Sequence, residues 1–197
     1  SLLVMAIVAP IVNFVLLPKL YFAGDASATI NAITNNSQWL WAVILGFLLV
    51  IILDIIVALA LREYLKDVDR SLSNVSALLR VLYALCFLGA LVPLVMASFD
   101  PTTGYTAFAT FDFVWNLALV IFGIHLFTLG ILFLKANRVT RFLGLLLIVA
   151  GIGYIVDTVL ILLYVNLGFE LSMVTFIGEV FLIVWLLFIG RKRELNA

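Results

Sequence analysis
Five ionisable side chains stand inside apolar stretches of this chain: Asp54, Arg80, His125, Asp157 and Glu179. A charge at membrane depth is costly and needs a partner, so each is a candidate functional residue. Three chemistries are open to such a set. It could bind a ligand, proton or cation in a polar pocket. It could be a buried network that fixes helix packing, with Arg80 neutralising Asp54 or Glu179, since the planar fork of Arg holds a carboxylate bidentately. It could support hydrolysis, with His125 beside Asp54, Asp157 or Glu179. The third is thinly supplied. His125 is the single histidine and Cys86 the single cysteine, which excludes a zinc site built from several His or Cys ligands and any internal disulfide. Ser98 and Ser172 sit in no elbow-like context, and there is no Walker loop, GxGxxG or CxxC. No cofactor is indicated, and no catalytic residue is assigned.

Depth along a helix follows from a rise of ~1.5 Å per residue. Asp54 lies eight residues from Arg62, or ~12 Å in. Arg80 lies nine from Ser71, or ~13 Å. His125 lies ten from Lys135, or ~15 Å. Glu179 lies eleven from Gly190, or ~16 Å. Four helices thus bring an ionisable group to one level near the midplane. Asp157, sixteen residues from Arg141, sits at ~24 Å.

The elements that must position these groups are membrane spans. The chain has 197 residues, 66% hydrophobic and 11% charged, with mean hydropathy +1.31. Soluble domains are about half apolar and about a quarter charged. Net charge is zero, so no basic surface suits nucleic acid. A bilayer core of ~30 Å needs about 20 apolar residues per helix. Six stretches qualify, near 2–18, 40–61, 72–96, 108–134, 142–165 and 171–190. The expected fold is all-α: one polytopic transmembrane helical bundle of about six spans over residues 1–197. The first stretch is read as a retained span, since no charged segment precedes its apolar run. Its Pro10 requires a neighbouring helix or a water to satisfy the freed carbonyl.

Residues 22–38 form the longest polar connection, expected to lie outside the cell. Asp25 ahead of Ala26, Ser27, Ala28 and Thr29 predicts a helix N-cap, with a short helix ending near Asn35 and Asn36. Trp39 and Trp41 mark a membrane interface. Arg62, Lys66, Arg70, Arg80, Lys135, Arg138, Arg141, Arg191, Lys192 and Arg193 fall to one side of the six spans, and Lys19 alone to the other. The positive-inside rule then makes both termini cytoplasmic. The central span is 142–165, with small residues at Ala150 and Gly153 and Asp157 on the same face. In the fourth span Asn116, Gly123 and Gly130 recur every seven residues. They form a packing seam, with His125 about 160–200° away toward a different neighbour.

The chain resembles the prokaryotic membrane family catalogued as domain of unknown function 4386. The resemblance rests on Gly24 to Thr29 in the first loop and on Phe122-Gly123-Ile124-His125 with Gly130. It rests further on Gly144 to Tyr154 followed by Asp157, and on Gly178-Glu179 with Trp185 and Gly190. It covers nearly the whole chain and implies a six-span or similar helical bundle in the inner cell membrane. It implies no established activity, so it supplies no catalytic residues. Family members often carry His where Asn116 stands here, and an acidic or amide residue near Tyr83. Shared metal chemistry is not expected in this chain.

Three functions remain open: a binder, sensor or permease-like component for a small molecule or lipid; an accessory subunit that docks on other membrane proteins or on itself; an intramembrane hydrolase or lipid-modifying enzyme.

Overall fold
A computed structural model of the chain describes residues 2–136, 140–163, 165, 168, 169, 171, 174 and 177–188. Every regular element among them is helical. Helix α1 covers Leu2–Pro10 and continues through a widened π turn, Ile11–Leu16, and a 3-10 turn, Leu17–Lys19. The π turn follows directly on Pro10, which has no N–H to give. Asn13 Nδ2 donates to the Ala9 carbonyl at 3.1 Å within the same turn.

Helix α2 covers Ala26–Asn35. Gly24 takes φ +84° in the turn before it, a left-handed conformation that glycine adopts without steric cost. Asp25 caps the helix by accepting the Ala28 N–H at 2.8 Å. Buried Thr29 ties the cap to the preceding turn, donating to Asp25 O and accepting from Phe22 N, both at 3.0 Å. The local cap expected from sequence is therefore present.

The long helices follow: α3, Ser37–Leu65; α4, Arg70–Phe99; α5, Gly104–Ala136; α6, Arg141–Leu162. A shorter α7 covers Ile177–Phe188. Among the described residues, five stretches are long and apolar enough to cross a membrane: Leu2–Lys19, Ser37–Leu65, Arg70–Phe99, Pro101–Ala136 and Arg141–Leu162. The chain is an all-α transmembrane helical bundle. Of the sixth expected span, α7 falls among the described residues; Arg191, Lys192 and Arg193 lie outside them. The outer stripe of α3 (Leu45, Leu49, Ile52, Ile56, Leu59) is exposed although wholly apolar. A three-four spacing that would mark the buried face in water here marks a face toward lipid.

Two compact units share the chain. The first comprises Ser1–Val57 and Val81–Ala118. Its interior is aromatic: Phe47 stacks on Phe111 at 5.4 Å and Phe87 on Trp115 at 5.6 Å. Trp115 Nε1 donates to the Tyr83 hydroxyl at 3.3 Å, so the half-buried indole is satisfied. Each such ring pair adds about 0.5–1.5 kcal/mol beyond its burial.

The second unit comprises Ala58–Arg80 and Leu119–Ala197. Here α5 and α6 run antiparallel along a glycine seam. A β-carbon on Gly123 would lie 2.7 Å from the Gly151 carbonyl oxygen, and one on Gly130 would lie 2.6 Å from that of Gly144. The reverse holds: a β-carbon on Gly144 would meet Gly130 O at 2.7 Å, and one on Gly151 would overlap Gly123 O. Both helices space their glycines by seven residues, the repeat that keeps one face in register along a coiled pair. In lipid no hydrophobic drive holds helices together, so close backbone packing supplies the attraction. The expected seam at Gly123 and Gly130 is thus real. On α6 the closest approach falls at Gly144 and Gly151, with Ala150 and Gly153 buried beside it. Helix α7 joins through Gly178, where a β-carbon would lie 2.6 Å from Leu146 O.

Candidate functional site
Seven residues separate Ser73 from Arg80, so Ser73, Ser76 and Arg80 share one face of α4. Within the second unit that face meets α5 at His125, which is fully buried. His125 Nδ1 lies 2.8 Å from the Ser76 carbonyl and 3.1 Å from Ser76 Oγ. Its Nε2 lies 3.3 Å from Arg80 Nη1. A carbonyl only accepts and a guanidinium only donates. Nδ1 therefore carries the proton and Nε2 accepts from Arg80, which defines a neutral imidazole with both nitrogens engaged. Ser73, also buried, donates from Oγ to the Arg62 carbonyl at 2.8 Å.

The guanidinium of Arg80, itself 3% exposed, also stands 5.4 Å from the Phe122 ring centre, a cation–π contact. Phe122 meets Tyr154 edge-on at 5.4 Å. The Tyr154 hydroxyl donates to Glu179 Oε1 at 2.8 Å. One line of contacts thus runs from Ser76 through His125 and Arg80 to Phe122, Tyr154 and Glu179, drawing on α4, α5, α6 and α7.

The five residues singled out by type divide accordingly. Arg80 and His125 touch. Glu179 reaches them through Tyr154 and Phe122. Asp157 turns to the end of α6, where its Oδ1 accepts the Leu171 N–H at 2.8 Å. Asp54 is buried, 2% exposed, in the first unit. Sequence reasoning missed Ser76. Its signal was available, because it stands one turn before Arg80, but a serine in an apolar helix more often bonds its own backbone.

A narrow crevice between α3, α4 and α5 leads from exposed Arg62 past Ser73 and Ser76 to His125, with Ala58 and Ala77 on its walls. It encloses about 170 Å³, its mouth included, and nowhere admits a water-sized sphere. Arg62 Nε donates to Asn74 Oδ1 at 2.6 Å, which holds the cation at the mouth. Below it, Lys135 Nζ pairs with Asp69 Oδ2 at 2.7 Å. Asp69 also caps α4 by accepting the Leu72 N–H at 3.0 Å. That backbone bond, and then Lys135, hold the Asp69 carboxyl below the usual aspartate range.

Among the described residues no three His, Cys, Asp or Glu side chains come together in a group that could hold a metal ion. A metal at His125 would have to displace either Arg80 or the Ser76 carbonyl. The geometry suits hydrogen bonding to a polar group more than metal ligation.

The family described as Domain of unknown function (DUF4386) matches residues 1–190. An uncharacterised protein of Archaeoglobus fulgidus is 38% identical over 149 residues, which covers 76% of this chain and 84% of the relative. No solved structure matches the chain.

Proposed function
This chain belongs to the DUF4386 family, and we propose that it is a multi-pass protein of the prokaryotic cell membrane that binds a small polar molecule, free or as a lipid headgroup, beside Arg80 and His125. The observation that carries this reading is the crevice from Arg62 to His125. A cation stands at its mouth, two buried serines line it, and a fully buried imidazole closes its floor. Small polar groups converging at the end of an apolar passage are what orient a ligand. The cation at the mouth favours a ligand with acceptor atoms, such as a carboxylate or phosphate. The crevice is closed, so binding requires α3 and α4 to part by the ~1–2 Å typical of helix shifts. The distribution of Lys and Arg supports six spans with both termini cytoplasmic, and hence a mouth that opens to the cytoplasm.

The test is native mass spectrometry of the protein extracted gently from its own membrane. A retained small adduct is expected, lost in an Ala77→Leu variant that fills the crevice and weakened in Ser73→Ala. Absence of any adduct in repeated extractions, or an adduct indifferent to both changes, overturns the reading. A retained protein partner in place of an adduct would make the chain a subunit of a larger complex.

A further inference from the structure
The first unit contains a second opening, unrelated to the crevice at His125. A groove of about 160 Å³ lies between the end of α4 and the start of α5, lined by Pro93, Met96, Thr103, Thr106, Ala107 and Thr110. That is far above the ~10–15 Å³ that admits one water. Its polar atoms have one feature in common. Thr103 Oγ1 donates to Asp100 O, Thr106 Oγ1 to Thr103 O, and Thr110 Oγ1 to Thr106 O, each at 2.8 Å. A hydroxyl has one proton and two lone pairs. With every proton committed to the helix backbone, the three threonines present acceptors only.

A wall of acceptors selects a ligand that brings donors. Charge narrows the choice. Asp100, exposed and just past the end of α4, stands outside the lining but three residues before Thr103, and it uses Oδ1 on its own turn, accepting from Thr102 N at 3.1 Å and Thr102 Oγ1 at 2.6 Å. Lys19 is engaged elsewhere, over the Trp39 ring at 4.7 Å. The position narrows it further. Trp41 stands edge-on to Phe99 at 6.3 Å, and Trp favours the headgroup level of a bilayer.

We propose that this groove holds the primary ammonium headgroup of a bilayer phospholipid, with Thr103, Thr106 and Thr110 accepting its N–H donors and Asp100 matching its charge. The ammonium is distinguished from a quaternary headgroup by its donors and from an anionic headgroup by its sign.

The experiment uses the full chain in nanodiscs of equimolar phosphatidylethanolamine, phosphatidylcholine and phosphatidylglycerol, ejected and read by native mass spectrometry. One phosphatidylethanolamine per chain is expected to survive activation that strips the other two. Thr106→Val with Thr110→Val keeps shape and removes acceptors; losing hydrogen bonds to a charged group should cut retention about tenfold. Asp100→Asn keeps the cap, because Asn caps as well as Asp, and should also lower retention. Equal retention of phosphatidylethanolamine and phosphatidylcholine overturns the proposal, as does wild-type retention in the folded double variant. Displacement of the lipid by equimolar free ethanolamine would overturn a lipid as the occupant and leave a soluble amine.

Discussion

His125 Nε2 accepts from the Arg80 guanidinium while Nδ1 donates to Ser76, so the imidazole is fixed in one tautomer. His125 is the only histidine, which leaves one imidazole to observe in a spectrum of the labelled protein. The nitrogen shifts are expected to show a neutral ring protonated at Nδ1. Arg80→Met should release that preference, and a ring protonated at Nε2 in the wild type would contradict the geometry.

The glycine seam makes a sharper statement about stability. Gly151→Ala and Gly130→Ala each press a methyl into a carbonyl oxygen of the partner helix. Overpacking of this kind costs about 1–3 kcal/mol. Gly89 is the control, because a β-carbon there meets nothing within 4 Å. Gly89→Ala should leave stability unchanged or raise it by up to ~1 kcal/mol, the helix preference of Ala over Gly. Thermal unfolding in detergent separates the two classes, and equal behaviour would remove the seam from the account.

Acid should loosen the α3–α4 connection. Asp69 lies outside the spans, and its carboxyl is held low by the Leu72 N–H and by Lys135. A carboxylate of lowered pKa stabilises the folded state above its unfolded value, near ~3.9. That stability fades as pH falls through the lower folded value. The gap in melting temperature between wild type and Asp69→Ala should be full at pH 7 and should close in strong acid. A gap that widens on acidification would mean that folding favours the protonated carboxyl, the opposite of a lowered pKa.

Tyr154 and Glu179 should be energetically coupled. Tyr154→Phe removes one hydrogen bond at little change in shape, worth about 0.5–1.5 kcal/mol. Combined with Glu179→Gln in a double-mutant cycle, it should give an interaction energy of about 0.5–3 kcal/mol. Additive effects would show that the contact between the Tyr154 hydroxyl and Glu179 does not help to hold α7.

The parts legible in the sequence were those governed by local or one-dimensional physics. Run length gave the spans, because bilayer thickness sets it. The Asp25 cap was legible because its partner, Ala28, is three residues away. Gly123 and Gly130 announced a seam by their spacing. The matching face of α6 was not legible: Gly151 and Gly153 are two residues apart and point about 160–200° apart, so either could have led. Only contact with α5 selects Gly151. The depths of Arg80 and His125 suggested a shared level, but depth carries no direction around the helix, and so Ser76 stayed hidden. Asp157 receives an N–H from fourteen residues onward, a pairing that leaves no periodic trace.

The seam also constrains how the sequence can change. A large residue that strikes a side chain can be rescued by trimming that side chain on the other helix. At Gly123, Gly130, Gly144 and Gly151 the obstacle is a main-chain oxygen, which no codon can shorten. A genetic screen for second-site suppressors of Gly151→Ala should therefore return no compensating change at Gly123. Suppressors should instead map to side chains packed on the opposite face of α6, whose trimming lets the helix move away from α5 as a rigid rod.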